Sequence, residues 1–201
     1  MTYVRLLYGS HARGEADALS DTDLLVIDDD PLADYTWSDM THLRAYGSLF
    51  LWHLHLESVI LDADEQGQEL WAKLTSELPT YARVQEDLDA FHTVLCDVSH
   101  ALQARDSSLE FEGAVLARTI RHVAILVCFL IGEPNFSRYS AVAHAMAFFG
   151  ISCAHEKEFE ELYDLVLRPG ATAPGERMLA EWVKRGFALV LAMRNYGGGA
   201  R

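Results

Sequence analysis

Within its first thirty residues the chain carries the string Tyr8-Gly9-Ser10-His11-Ala12-Arg13-Gly14 and then Ser20-Asp21-Thr22-Asp23-Leu24-Leu25-Val26-Ile27. Gly9 and Ser10 leave one β-rich run and open a helical turn, where backbone N–H groups and one hydroxyl can approach a phosphate with no Cβ in the way. Asp21 and Asp23 stand at the start of a second run, and a strand there turns both carboxylates to one face. Two acids so placed suit a hard cation such as Mg²⁺, which binds through one or two carboxylates together with substrate phosphates. The chemistry available is therefore polyphosphate binding at a bend beside a divalent ion, with Leu24 to Ile27 as the buried strand that fixes the acids.

A second set of candidates lies in Phe50-Leu51-Trp52-His53-Leu54-His55-Leu56-Glu57. Read as a strand, this run puts His53, His55 and Glu57 on one face and Trp52, Leu54 and Leu56 on the other. Glu57 is then a candidate third acid. His53 or His55 is a candidate general base, because an imidazole titrates near neutral pH. The same residues serve equally well as polar groups on a solvated sheet face.

The order Gly-Ser, ten residues, Asp-x-Asp, with the inner Ala12-Arg13-Gly14 and the apolar run after Asp23, resembles the signature of DNA polymerase β-like nucleotidyltransferases, most closely the small bacterial branch called minimal nucleotidyltransferases. The likeness covers about a tenth of the chain closely and the first third by order of elements. It implies that Gly9 and Ser10, with Arg13, bind a nucleoside triphosphate such as ATP, and that Asp21 and Asp23 bind one or two Mg²⁺ ions. It implies an acceptor hydroxyl, a nucleoside monophosphate (AMP for preference) moved onto it, and pyrophosphate leaving. The family usually carries a third carboxylate on a neighbouring strand, the place for which Glu57, His53 and His55 compete. A helix often precedes the first strand in this family; here the chain opens on that strand, which would leave one sheet face open to a partner.

The elements that must position these groups change character once along the chain. β-rich runs and turn chemistry fill the first part, and Ala, Leu and Glu at helical spacing fill the rest. The expected fold class is α+β: a small mixed sheet over 1–78, then an all-α bundle over 79–201, divided near Leu78-Pro79. Strands are expected at Tyr3–Tyr8, Asp23–Ile27 and Phe50–Leu61, the last broken near Ser58. A short helix is expected after the first bend, with others at Trp37–Gly47 and Glu65–Glu77. The bundle is read as Arg83–Ala104, Glu110–Ile131, Ser137–Phe149, His155–Leu167 and Glu176–Met193, punctuated by Gly132-Glu133-Pro134-Asn135 and the breaker-rich stretch 169–175.

A helical domain after such a core resembles the bundles of antibiotic nucleotidyltransferases and the HEPN domains that accompany minimal nucleotidyltransferases in toxin–antitoxin systems. Ribonuclease members of the latter carry Arg, four to six residues, then His, and Arg138 to His144 has that spacing; an ordinary helix-surface pair has it too. Arg118, Arg121 and His122 make a basic patch that could meet a triphosphate or pair with nearby acids. The apolar run Val123–Ile131 is core or a homodimer interface, and by itself is too short to span a bilayer.

The formal net charge of −14, from 30 acidic and 16 basic residues, repels a polyanion. Long nucleic acid is thus an unfavourable partner, whereas a cationic small molecule or a protein suits the surface as acceptor. Cys96, Cys128 and Cys153 form no CxxC pair, and the N-terminus shows no signal-peptide pattern, both of which fit a cytoplasmic, membrane-free protein. A non-catalytic relative, binding a partner through a degenerate fold, is the alternative to an enzyme.

Overall fold

The computed structural model describes residues 2–18, 20–152, 156–168 and 170–196. The chain is α+β and falls into two compact units, Met1–Arg83 and Val84–Arg201. The division falls after Arg83 rather than at Leu78-Pro79 because the intervening segment packs on the first unit. Tyr81 is buried, the Ala82 N–H donates to the Tyr46 carbonyl at 3.0 Å, and the Arg83 guanidinium lies 4.0 Å from the centre of the Tyr46 ring.

The first unit is a four-stranded mixed sheet in the order β3-β2-β1-β4. β1 (Val4–Tyr8) pairs antiparallel with both β2 (Asp23–Asp28) and β4 (Val59–Ala63), and the two-residue β3 (Tyr35–Thr36) runs parallel to β2. Alternation in β1 and β2 sends Val4, Leu6, Leu25 and Ile27 into the core. There they meet Met40 of α2 (Trp37–Ala45), Leu51 and Leu54 of α3 (Leu49–Glu57), and Trp71 and Leu74 of α4 (Glu65–Thr75). The other face is open: Leu24 and Val59 remain 47% and 48% exposed.

Local chemistry sets the helix starts. Thr36 and Asp39 form a reciprocal capping box on α2, and the Asp64 carboxylate accepts from the Gly67 N–H on α4. The expected strand over Phe50–Leu61 is corrected by the structure: 49–57 is helical, and only 59–63 is extended. The Ser48 hydroxyl accepts from the Phe50 N–H and starts a helix whose buried residues, Leu51 and Leu54, are three apart. The chain breaks at Ser58, where the break was expected. His53, His55 and Glu57 therefore do not share a sheet face.

In the second unit α6 (Leu109–Leu130) is the central helix, and α5 (Val84–Ala104), α7 (Ser140–Phe148), α8 (Glu156–Leu167) and α9 (Glu176–Asn195) all pack against it. The five expected helices are present, with ends within a few residues of the expected ones; His155 and Cys153 lie outside the described residues. The 22-residue α6 is long and apolar enough to cross a membrane, yet 61% of its most apolar window is buried inside the protein. Leu116, Ile120, Val123 and Leu126 are wholly buried, so the apolar run serves as core. Two glycines let neighbours close in: a Cβ at Gly113 would stand 2.3 Å from Leu165 Cδ1, and one at Gly186 2.8 Å from Leu95 Cδ2.

Candidate functional site

β1 ends at Tyr8, and the chain turns at once into the single-turn helix α1 (Gly9–Arg13). Gly9 sits at φ +71°, in the left-handed region that L side chains seldom adopt. A Cβ there would stand 2.2 Å from Asp23 Oδ2 and 3.1 Å from its Cγ. The Asp23 carboxylate thus rests directly on the bare α-carbon of the bend. Antiparallel pairing explains this, since Tyr8 and Asp23 are register partners at the ends of β1 and β2. No side chain caps the start of α1, whose N-cap residue is Tyr8.

Asp21 and Thr22 precede β2 and are exposed, so the strand begins at Asp23 itself. The strand expected from Asp23 begins there, and Asp21 lies two residues before it in the exposed approach. The loop before them is tied by the Asp17 N–H donating to Ser20 Oγ at 3.0 Å and by Ser20 Oγ donating to Asp17 Oδ1 at 2.9 Å.

Beside the bend lies an ion-pair cluster that joins α1 to α3. Arg13 Nη1 donates to Glu57 Oε2 at 2.6 Å, and Arg13 Nε donates to Glu15 Oε2 at 2.8 Å. His53 Nε2 stands 3.0 Å from the same Glu57 oxygen, one helical turn back. The Arg13, Glu57 and His53 side chains are only 16%, 16% and 14% exposed. Burial alone would push the Glu57 carboxyl up; the close approach of His53 Nε2 and the hydrogen bond and charge of Arg13 outweigh it and hold the group below the usual carboxylate range. The Tyr8 ring meets His53 edge-on at 5.7 Å and Phe50 at 6.0 Å. Burial pushes the Tyr8 phenol up, and the nearby Asp23, Tyr35 and Asp34 push the same way.

Of the expected site residues, the structure brings Gly9 and Asp23 into contact and draws Arg13, Glu57 and His53 together. His55 is exposed and turned aside, its ring 6.0 Å from that of Trp52. β4, the other strand beside β1, carries one acid, Asp62, whose register partner is Arg5 and which accepts from the Tyr3 hydroxyl at 2.9 Å. Asp62 is remote from the Tyr8–Asp23 end, where β4 presents Val59 against Leu7. Among the described residues no group of three His, Cys, Asp or Glu side chains is disposed to hold a metal. The Arg13–Glu57–His53 cluster was not foreseen, although His53 and Glu57 at i,i+4 are the signal for it once the run is helical.

In the second unit, His144 Nε2 lies 2.8 Å from Glu133 Oε2, and the Arg138 guanidinium lies 5.8 Å from the centre of the Tyr139 ring. Arg121 Nη2 donates to the Phe136 carbonyl at 2.9 Å, a tether for the loop after α6. No family model matches the chain, and no curated protein is significantly similar to it.

Proposed function

We propose that the first unit is a metal-dependent nucleotidyltransferase of the polymerase β type, moving a nucleoside monophosphate, AMP for preference, from the triphosphate to an acceptor hydroxyl. The observation that carries this reading is the seating of the Asp23 carboxylate on Gly9, where a Cβ would lie 2.2 Å from Oδ2. Such contact puts an acid against the strand-to-helix bend, where Gly9 is buried and Ser10 half-buried, and supports a reading in which a divalent ion at Asp23 and a polyphosphate at the Ser10 side of the bend are shared. In this reading the Gly9–Ser10 backbone and the Ser10 hydroxyl bind the β and γ phosphates, and Asp21 and Asp23 hold the metal. When bound, Mg²⁺ supplies charge stabilisation on the phosphates and activation of the acceptor hydroxyl. The charge of −14 favours a cationic small molecule or a protein as acceptor over a nucleic acid.

The test is Mg²⁺-dependent pyrophosphate release from ATP, with Asp23→Asn as the variant that deletes charge and keeps shape. Release should fall by at least about a hundredfold, in line with losing a group that stabilises transition-state charge. Continued release in the variant would remove Asp23 from the mechanism. Protection of cells against an aminoglycoside-like compound would identify a small-molecule acceptor, and modification of a protein encoded nearby would identify a protein acceptor.

A second reading, a non-catalytic binding protein on the same fold, is favoured by one observation. Glu57, the candidate third acid, is already engaged by Arg13 and His53. Calorimetry with ATP and Mg²⁺ separates the two, because absence of nucleotide binding favours the second reading.

A further inference from the structure

We propose that Arg13, Glu57 and His53 form a strut that sets the position of the Gly9–Ser10 bend, and with it the Asp23 carboxylate, so that they are positioning residues and not ligands of metal or phosphate. The inference rests on the reading of that bend as a nucleotide site. It assigns Glu57 a role other than third acid, and Arg13 a role other than phosphate contact.

Three observations lead to it. First, Glu57 Oε2 receives Arg13 Nη1 at 2.6 Å and stands 3.0 Å from His53 Nε2, so one oxygen joins a residue of α1 to a residue one turn back on α3. Second, Arg13 is flanked by two carboxylates, Glu57 at 2.6 Å and Glu15 at 2.8 Å. One guanidinium between two acids leaves Arg13 no surplus positive charge to offer a polyphosphate. Third, the cluster touches the bend through its own chain. Arg13 closes the single turn that Gly9 opens, and the Tyr8 ring, one residue before Gly9, packs edge-on against His53 at 5.7 Å. Asp23 in turn has no room to spare on Gly9. A shift of α1 against α3 therefore moves the surface on which the carboxylate sits, and misplacement by about 1 Å can cost on the order of a hundredfold in a reaction that depends on alignment.

The experiment is a double-mutant cycle read by calorimetry with Mg²⁺ and a non-hydrolysable ATP analogue. Arg13→Ala and Glu57→Ala should each weaken binding about tenfold or more, and the double variant should be no weaker than the worse single one, because both cut the same strut. Glu57→Gln should stay within about threefold of the unsubstituted chain, since its amide oxygen still accepts from Arg13. A metal ligand or general base would not be rescued by Gln, and two direct contacts would give losses that multiply. Either of those results, or unchanged affinity in an alanine variant that melts cooperatively, overturns the strut. Should the alanine variants fail to fold, Glu57→Gln decides alone: retained affinity supports the proposal, and a tenfold loss ends it. If the unsubstituted chain binds no nucleotide, the reading of the site falls and the strut's purpose falls with it, whereas binding with multiplying losses removes the strut alone.

Discussion

Two glycines five residues apart offer a clean measure of how tightly the candidate site is built. Gly9 and Gly14 have nearly the same backbone conformation, φ +71° and +72°, so replacing either with alanine incurs the same left-handed cost of about 1 kcal/mol. Their surroundings differ. A Cβ at Gly14 meets nothing within 4 Å, while one at Gly9 would stand 2.2 Å from Asp23 Oδ2. Ordinary contact requires the carboxylate to retreat by about 1 Å, and overpacking of that kind costs about 1 to 3 kcal/mol. Gly9→Ala should therefore destabilise the first unit by about 2 to 4 kcal/mol and Gly14→Ala by about 1, read by urea unfolding followed through tryptophan fluorescence. The excess should vanish when Asp23→Ala is added, because Oδ2 and Cγ leave and the remaining Asp23 Cβ, at 3.4 Å, is in ordinary contact. Equal losses at the two glycines, or an excess that survives Asp23→Ala, would refute the claim that the carboxylate sits on the bend.

Three further outcomes follow from the same geometry. The Glu57 carboxyl is held below its ordinary value of 4.5, so its contribution to stability is present above that pH and is lost as pH falls through the lower folded value; acid titration of the unfolding midpoint should show a shallower slope below pH 4.5 in Glu57→Gln than in the parent. Burial pushes the Cys128 thiol up to about 11, whereas Cys96 is half-buried with its sulfur 3.7 Å from His92 Nδ1; iodoacetamide at pH about 8 should label Cys96 and spare Cys128 in the native protein, as peptide mass spectrometry would reveal. A Cβ at Gly67 would stand 2.0 Å from the Tyr3 carbonyl oxygen and 2.7 Å from Asp64 Oδ1, and backbone cannot yield as a flexible side chain does. Gly67→Ala should accordingly loosen α4 from β1 and destabilise the first unit by at least about 2 kcal/mol, seen as faster amide exchange in both elements.

The sequence by itself determined a good deal of this protein. The bend at Gly9, the strand that starts at Asp23, the change to helices after the first eighty or so residues, and the five bundle helices were legible because each depends on local rules. Glycine is needed where φ is positive, apolar residues recur at 3.6 in a helix, and breakers such as Gly132 and Pro134 end one. What only the tertiary structure decided begins at Leu49–Glu57. Trp-His-Leu-His-Leu alternates as a strand does, yet Leu51 and Leu54 are also three apart, and an eight-residue apolar run cannot by pattern alone choose between the two periods. The Ser48 cap and the need to cover Leu6 and Leu25 on the sheet chose the helix. That choice moved His55 away from Glu57 and carried Glu57 to Arg13, forty-four positions earlier in the chain. An ion pair across that separation depends on how two helices pack on one sheet, and no spacing in the sequence encodes it.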